Sequence, residues 1–287
     1  MTTWSIQVAR EATGRKKILM VRGAYHGVDA WCTPGHGGLI PEDRLHVHSF
    51  CWNDAGDFKA ALDRYRGEIA AVIITPFHHP AFGQSDMPEE GFIETIESSC
   101  REQEIVFILD DIRAGFRLHT GGSHRFFGFD PDISCFCKAL GNGYPISSAV
   151  GREALRVPAS KVFLTGSYWN NAVPMAVAKA CLRILDRDRV IDHLDAMGRR
   201  LIDGLLEVSR RYGIEITASG PPALPYITFA EDRSFRLMQR FCRACMEQGV
   251  FFHPHHNWFL SAAHHETDID QAIDAAELAF SRLNHET

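Results

Sequence analysis

An α/β fold built on a mostly parallel sheet, with a small C-terminal α+β domain, is what this 287-residue chain predicts. Three observations carry that expectation. Strand-like and helix-like patterns alternate through most of the chain, as they do where helices cover a parallel sheet. Two short apolar runs, Ile105-Val106-Phe107-Ile108-Leu109 and Ile133-Ser134-Cys135-Phe136-Cys137, read as strands, and each delivers a charged residue at its end. Beyond about Leu185 the pattern changes to a long helical stretch and then to short strands mixed with helices.

Taken in order, residues 5–13 read as a helix with Ile6, Ala9 and Thr13, or Val8 and Ala12, on one face, and Gly14 stops it. Residues 18–21 read as a strand, and 70–75 as another that Pro76 breaks. Residues 91–103 give a helix that leads into the strand ending on Asp110. From 172 to about 212 the pattern is mostly helical, with Leu182, Leu185, Leu194, Leu201 and Leu205 as an apolar stripe. The remainder is expected to hold a strand near 226–229, a helix over 234–248, a strand near 250–253, an edge strand at 258–261 and a helix from 267 to about 283. The expected organisation is a large domain over residues 1–185 and a small α+β domain over 186–287. The sequence has no repeat and no low-complexity segment.

Composition bounds the function. With 45% hydrophobic residues the chain can bury a large core, and a net charge of −6 leaves no electrostatic footprint for nucleic acid or for an anionic membrane. No apolar run approaches the ~18 residues of a membrane span, and Met1-Thr2-Thr3-Trp4 begins no signal peptide. The eight cysteines are scattered, several inside apolar patterns, which predicts reduced, buried thiols in a cytoplasmic protein. Cys242-Arg243-Ala244-Cys245 lacks a second pair at zinc spacing and reads as buried helical thiols. His253, His255, His256, His264 and His265 have no H-x-x-x-H pairing, so no metal site is expected, and some of them are expected to line a substrate pocket. Gly35-His36-Gly37-Gly38 and Gly121-Gly122 read as turns, because neither opens a helix after a strand as a phosphate loop does.

The chemistry gathers at two strand ends. The second apolar run puts Lys138 into the glycine-rich turn Ala139-Leu140-Gly141-Asn142-Gly143-Tyr144-Pro145, where a parallel sheet presents ligand-binding groups. The first run delivers Asp110-Asp111. A buried lysine and a buried carboxylate on neighbouring strand ends are what pyridoxal phosphate (PLP) requires: a Schiff-base amine and a partner for the pyridinium nitrogen. On these residues alone, a structural Asp–Lys ion pair at a sheet edge is the simpler reading.

The surrounding motifs favour the cofactor. Gly23-Ala24-Tyr25-His26-Gly27, then Asp110-Asp111-Ile112-Arg113-Ala114-Gly115-Phe116-Arg117, then Lys138 to Pro145, Thr165-Gly166-Ser167-Tyr168-Trp169-Asn170-Asn171 and Phe259-Leu260-Ser261-Ala262-Ala263-His264 follow one another. This series resembles the class III PLP-dependent aminotransferases, above all their glutamate-1-semialdehyde aminomutase-like branch, over essentially the whole chain. The resemblance implies a PLP-dependent transferase fold of the aspartate-aminotransferase type, with residues 1–185 as the PLP-binding large domain. Lys138 would hold the cofactor and move the α-proton. Asp110 would pair with the pyridinium nitrogen, while Asp111 stands where the family has Glu. Ile112 would lie on one face of the ring and Tyr25 on the other. His26 would orient the cofactor or satisfy local backbone groups. Ser167, where the family has Thr, and the Gly166 amide would reach the cofactor phosphate of a partner subunit, which implies a homodimer with shared active sites.

In the resembled family a Gly/Ser-rich turn that holds the cofactor phosphate precedes the first helix, so the chain is expected to lack that N-terminal segment. The motifs imply transfer of an amino group between a small amino donor and a carbonyl acceptor. The alternative is an aminomutase moving an amino group between adjacent carbons of one substrate, towards which Ser261-Ala262-Ala263-His264 leans. Pro254-His255-His256-Asn257-Trp258 departs from that branch's usual acidic, small-residue loop, and Thr75-Pro76 stands where the family commonly has Glu-Pro; both favour the transaminase, while Trp169 and Asn170 in place of the family's commoner small residues imply a reshaped pocket wall. A third reading is a non-catalytic remnant that dimerises with a full-length relative.

Overall fold

The computed structural model describes residues 1–80, 83–230 and 232–285. It divides into two compact units, one formed by Met1–His78 and Pro88–Ile184 and the other by His79–Met87 and Leu185–Thr287.

The first unit is built on six strands in the order β2-β1-β3-β4-β5-β6. These are β1 (Lys17–Val21), β2 (Val47–Phe50), β3 (Ile69–Ile74), β4 (Val106–Asp110), β5 (Ile133–Phe136) and β6 (Ser148–Gly151). The first five run parallel, and β6 returns antiparallel to β5. Every residue of β3 and β4 is buried, which is why these strands read as continuous apolar runs rather than alternating ones. Helices α1 (Thr2–Thr13), α2 (Ala55–Arg64), α3 (Phe92–Glu102), α4 (Ser123–Phe127) and α5 (Arg156–Lys161) connect and flank the sheet, and α6 (Ala172–Arg187) begins in this unit. Helix α1 buries Ile6, Val8 and Ala9 and stops at Gly14, whose φ of 68° lets its amide reach the Arg10 carbonyl at 2.9 Å. Asp54 starts α2 by accepting the Asp57 amide at 2.8 Å.

The second unit contains α7 (Val190–Arg211), the antiparallel pair β7 (Ile216–Ser219) and β8 (Tyr226–Phe229), α8 (Arg236–Met246) and α9 (Glu266–His285). Leu194, Leu201 and Leu205 of α7 are buried as the apolar stripe predicts. The stripe does not run unbroken: Arg189, at φ 47°, separates α6 from α7, and Leu182 of α6 is exposed. Cys242 and Cys245 are buried on α8.

The strand expected near 250–253 and the edge strand at 258–261 do not form. The amides of Trp258 and Leu260 do donate to the carbonyls of Pro225 and Ala223, at 2.9 and 3.2 Å. Pro225 has no N–H to return the bond, so no ladder closes. Instead Trp258 packs its ring 4.2 Å from that of Phe252 and donates Nε1–H to the His253 carbonyl at 3.0 Å.

Candidate active site

The ends of the parallel strands build the site. Asp110 is the last residue of β4 and faces Cys135 of β5, so Lys138 leaves the neighbouring strand three residues further on. Lys138 opens a single turn of 3-10 helix with φ 44°. A left-handed conformation at a residue with a Cβ costs roughly 1–2 kcal/mol, a strain typical of residues held for function. Gly141 in the turn that follows must be glycine, since a Cβ there would collide with the Tyr144 carbonyl.

Asp110 is 4% exposed, and both its oxygens are engaged. Oδ2 lies 2.8 Å from His26 Nδ1, and Oδ1 accepts the Ile112 amide at 3.2 Å. His26 is itself held from behind, because Thr2 Oγ1 donates to its carbonyl at 2.8 Å. The histidine therefore serves the carboxylate rather than local backbone groups, and its buried Nε2 has no partner among the described residues. The adjacent acid faces elsewhere. Asp111 accepts the amide and the hydroxyl of Ser123 at 2.7 and 2.6 Å. Burial, reinforced by the Asp110 charge, pushes its carboxyl up to about 7 against the pull of the Ser123 donors and Arg117.

Lys138 is exposed as a residue, yet its amine is pulled below the ordinary lysine range. Lost hydration is the largest cause, with Arg113 and Arg117 acting the same way and Asp110 opposing. Burial also lowers both arginines, Arg117 to about 10. These two stand inside the aspartate motif, but the sequence reading assigned them no role. It also passed over His78, four residues beyond the end of β3, whose imidazole burial and Arg113 push down to about 4. The available signal was position alone: each follows the C-terminal end of a parallel strand.

Tyr25 is 46% exposed and precedes His26 in the turn after β1; Ile112 is half-buried and packs against the sheet core. Lys138, Asp110, Ile112 and His26, with Tyr25 beside it in the chain, are thus brought to one edge of the sheet. Gly166 and Ser167 stand on a loop before α6, Ser167 exposed and, among the described residues, without a side-chain hydrogen bond. The Trp169 indole lies against Gly166 where a Cβ would stand. His253, His256 and His264 line a cavity of about 580 Å³ in the second unit.

A family model for class-III aminotransferases matches residues 2–276. The chain belongs to this family. It is 41% identical over 282 residues to the aminopentol aminotransferase of Sphingopyxis macrogoltabida, a match covering 98% of this chain and 67% of the relative. It is 29% identical over 309 residues to the glutamate-1-semialdehyde 2,1-aminomutase of Akkermansia muciniphila, covering 98% of this chain and 72% of that protein. Among solved structures, the PLP internal aldimine form of the FumI protein of Sphingopyxis sp. MTA144 superposes with a TM-score of 0.97 at 40% identity, over 99% of this chain and 69% of that one. The α/β fold with its mostly parallel sheet is that of the PLP-dependent transaminases. The protein is accordingly a PLP-dependent aminotransferase acting on small-molecule amino donors and acceptors. Among the described residues no helix is long and apolar enough to cross a membrane.

The residues at the strand ends fit PLP: an amine with a lowered pKa stands beside a buried carboxylate that a histidine fixes in place.

Proposed function

We propose that the amino transfer is carried by Lys138 and Asp110, in a homodimer whose partner chain completes each site. The observation that carries this reading is the pairing of adjacent strands β4 and β5, the first ending in a histidine-held carboxylate and the second followed two residues later by a strained lysine. When bound, PLP supplies a carbonyl that takes up amines and a ring that stores the electron pair released from carbon. Lys138 would hold the cofactor and, once its amine is free, would carry the proton from the substrate's amine-bearing carbon to the cofactor side of the C–N bond rather than back to the same carbon, so that the amino group stays with the cofactor. A depressed amine pKa keeps more of it in the free-base form this requires. Asp110 meets the pyridinium nitrogen and holds its proton, while His26 fixes the direction of the carboxylate. Ile112 and Tyr25 cover the two faces of the ring. Residues 1–185 serve as the cofactor-binding part and 186–287 as the smaller one, in a cytoplasmic enzyme.

Gly166 and Ser167 offer an amide and a hydroxyl to the cofactor phosphate of the partner, which would give a partner to a Ser167 hydroxyl that has none among the described residues. The 41% identity to an aminopentol aminotransferase supports an amino alcohol as the donor. Borohydride reduction of the PLP-loaded protein followed by peptide mapping tests the central assignment. The label is expected on Lys138, and a label on Lys16, Lys17, Lys59, Lys161 or Lys179 instead would refute it.

A further inference from the structure

In the second unit, residues 253–264 run without regular secondary structure between α8 and α9, and His253, His256, Asn257, Trp258 and His264 among them line the cavity of about 580 Å³. Three imidazoles hold this segment, each by accepting one of its backbone amides. His79 Nε2 accepts the Asn257 amide at 3.0 Å, His253 Nδ1 the His255 amide at 3.1 Å and His264 Nδ1 the Ser261 amide at 3.1 Å. His79 is fixed from its other side as well: Nδ1 stands 2.9 Å from Ser85 Oγ and carries the ring's single proton, since Nε2 is an acceptor. The rings also crowd one another, with centroids 5.4 Å apart for His79 and His256, 6.0 Å for His253 and His256 and 6.2 Å for His253 and His255. Asn257, 1% exposed, gives Nδ2–H to the Trp258 carbonyl at 3.1 Å, while its buried Oδ1 has no hydrogen bond among the described residues. The packed segment thus already carries the cost of one unmet polar group.

We propose that residues 253–264 are a pH-sensitive flap, which proton uptake by His79, His253 and His264 releases from the wall of the cavity. A ring nitrogen that accepts an amide has to be unprotonated, because an imidazolium offers two donors and no acceptor. Each proton taken up at one of these nitrogens replaces a hydrogen bond with two N–H groups pointing at each other. Histidine is the side chain whose charge changes between about pH 5 and 8, so the clasp answers to mild acid. The same protons add like charges to rings that already crowd one another. The groups that face these rings from neighbouring elements leave the clasp as the titrating part. Tyr226 of β8 stands edge-on to His79 at 5.4 Å and donates its hydroxyl to the Pro254 carbonyl, and burial pushes that hydroxyl above the ordinary tyrosine range, so it stays neutral. His193 of α7 donates Nε2–H to the His264 carbonyl at 2.8 Å, and His256 donates Nδ1–H to the Asn257 carbonyl at 2.7 Å. Both bonds survive protonation. Gln239 of α8 meets His255, Nε2 to Nε2, at 3.1 Å and carries no charge. Asp268 of α9 is the acid lining the same cavity, and it is committed to the His265 amide at 2.8 Å.

Hydrogen–deuterium exchange of the PLP-loaded protein tests the clasp, read by mass spectrometry on peptides covering 253–264 and the β7–β8 pair and corrected for intrinsic exchange. Between about pH 7.5 and 5.5, protection of 253–264 is expected to fall at least about tenfold, since each proton bound only by the released segment weakens closure by up to about tenfold per pH unit. The β7–β8 pair should keep its protection over the same range. A triple variant, His79→Gln with His253→Asn and His264→Asn, puts an uncharged amide oxygen near each accepting nitrogen. It should keep the neutral-pH protection and lose the pH dependence. His79→Gln alone should lessen the fall, and guards against a folding defect in the triple variant. Protection of wild-type 253–264 that does not change with pH overturns the assignment, as does a fall equally steep in these variants. A fall shared by β7–β8 overturns it too, because the whole unit is then unfolding in acid.

Discussion

Two adjacent carboxyls in this chain are driven to different ends by what donates to them. Asp110 is directed by His26, whereas Asp111 is consumed by Ser123. Asp110→Ala is therefore expected to slow proton transfer by about a hundredfold or more, the scale of one lost electrostatic partner in a closed site. Asp111→Asn should retain most activity, and single-turnover measurements on both variants check the ranking. A reversed order would mean the second acid faces the cofactor. Asp111 makes a further prediction about pH. Its folded pKa is raised to about 7, above its unfolded value, so its contribution to stability is full in acid and fades as pH rises through neutrality. The swing is at most about 4 kcal/mol for a shift of this size. Other groups titrate in the same window, His78 with the opposite sign, so the observable is the difference in melting temperature between wild type and Asp111→Asn from pH 4 to 8. That difference should move against the wild type as pH rises. At this scale the sequence was legible in placing Asp110 and Lys138 at the ends of neighbouring strands. It was not legible for the Asp110–His26 contact, because 84 residues separate the partners and no local pattern encodes their meeting.

Among the elements, α7 carries the sharpest packing constraint. Gly198 faces the Pro222 backbone so closely that a Cβ would overlap its carbonyl. Gly198→Ala gains up to about 1 kcal/mol of helix propensity yet forces a backbone shift costing roughly 1–3 kcal/mol. The net expectation is destabilisation. Urea melts of the variant should show a lower midpoint with an unchanged slope, and a higher midpoint would mean the Pro221–Pro222 turn yields freely. The same turn explains what the sequence hid. A strand was expected over 258–261, but its partner segment 221–225 contains three prolines, and Pro225 withholds the returning hydrogen bond. Strand propensity lies within a segment, whereas the missing donor lies in its partner. Elements with strong internal patterns, such as β3 and α9, were readable from the chain alone; β2 and β7, four residues each and half of them polar, were not.

At the scale of the whole molecule the decisive surface is the stretch from 157 to 184. Phe163 and Tyr168 are 89% and 85% exposed, and Val173, Met175, Leu182 and Ile184 of α6 face outward as well. A helix with this many outward apolar side chains is stable in water only when something covers it. The homodimer proposed above supplies the cover, and a two-fold interface makes the exchange reciprocal: each chain's Ser167 loop meets the other's Lys138 edge. Complementation tests this directly. Lys138→Ala removes the reacting amine, and Ser167→Ala removes one hydrogen bond to an anion, worth about 1.5–3 kcal/mol, so each variant alone should be inactive when PLP is limiting. In a hybrid dimer one site carries both defects and the other carries neither. Random assortment of equal amounts makes half of the dimers hybrid with one intact site each, so about a quarter of wild-type activity should return. Proven hybrids without recovery would place Ser167 in its own subunit's site or outside the chemistry.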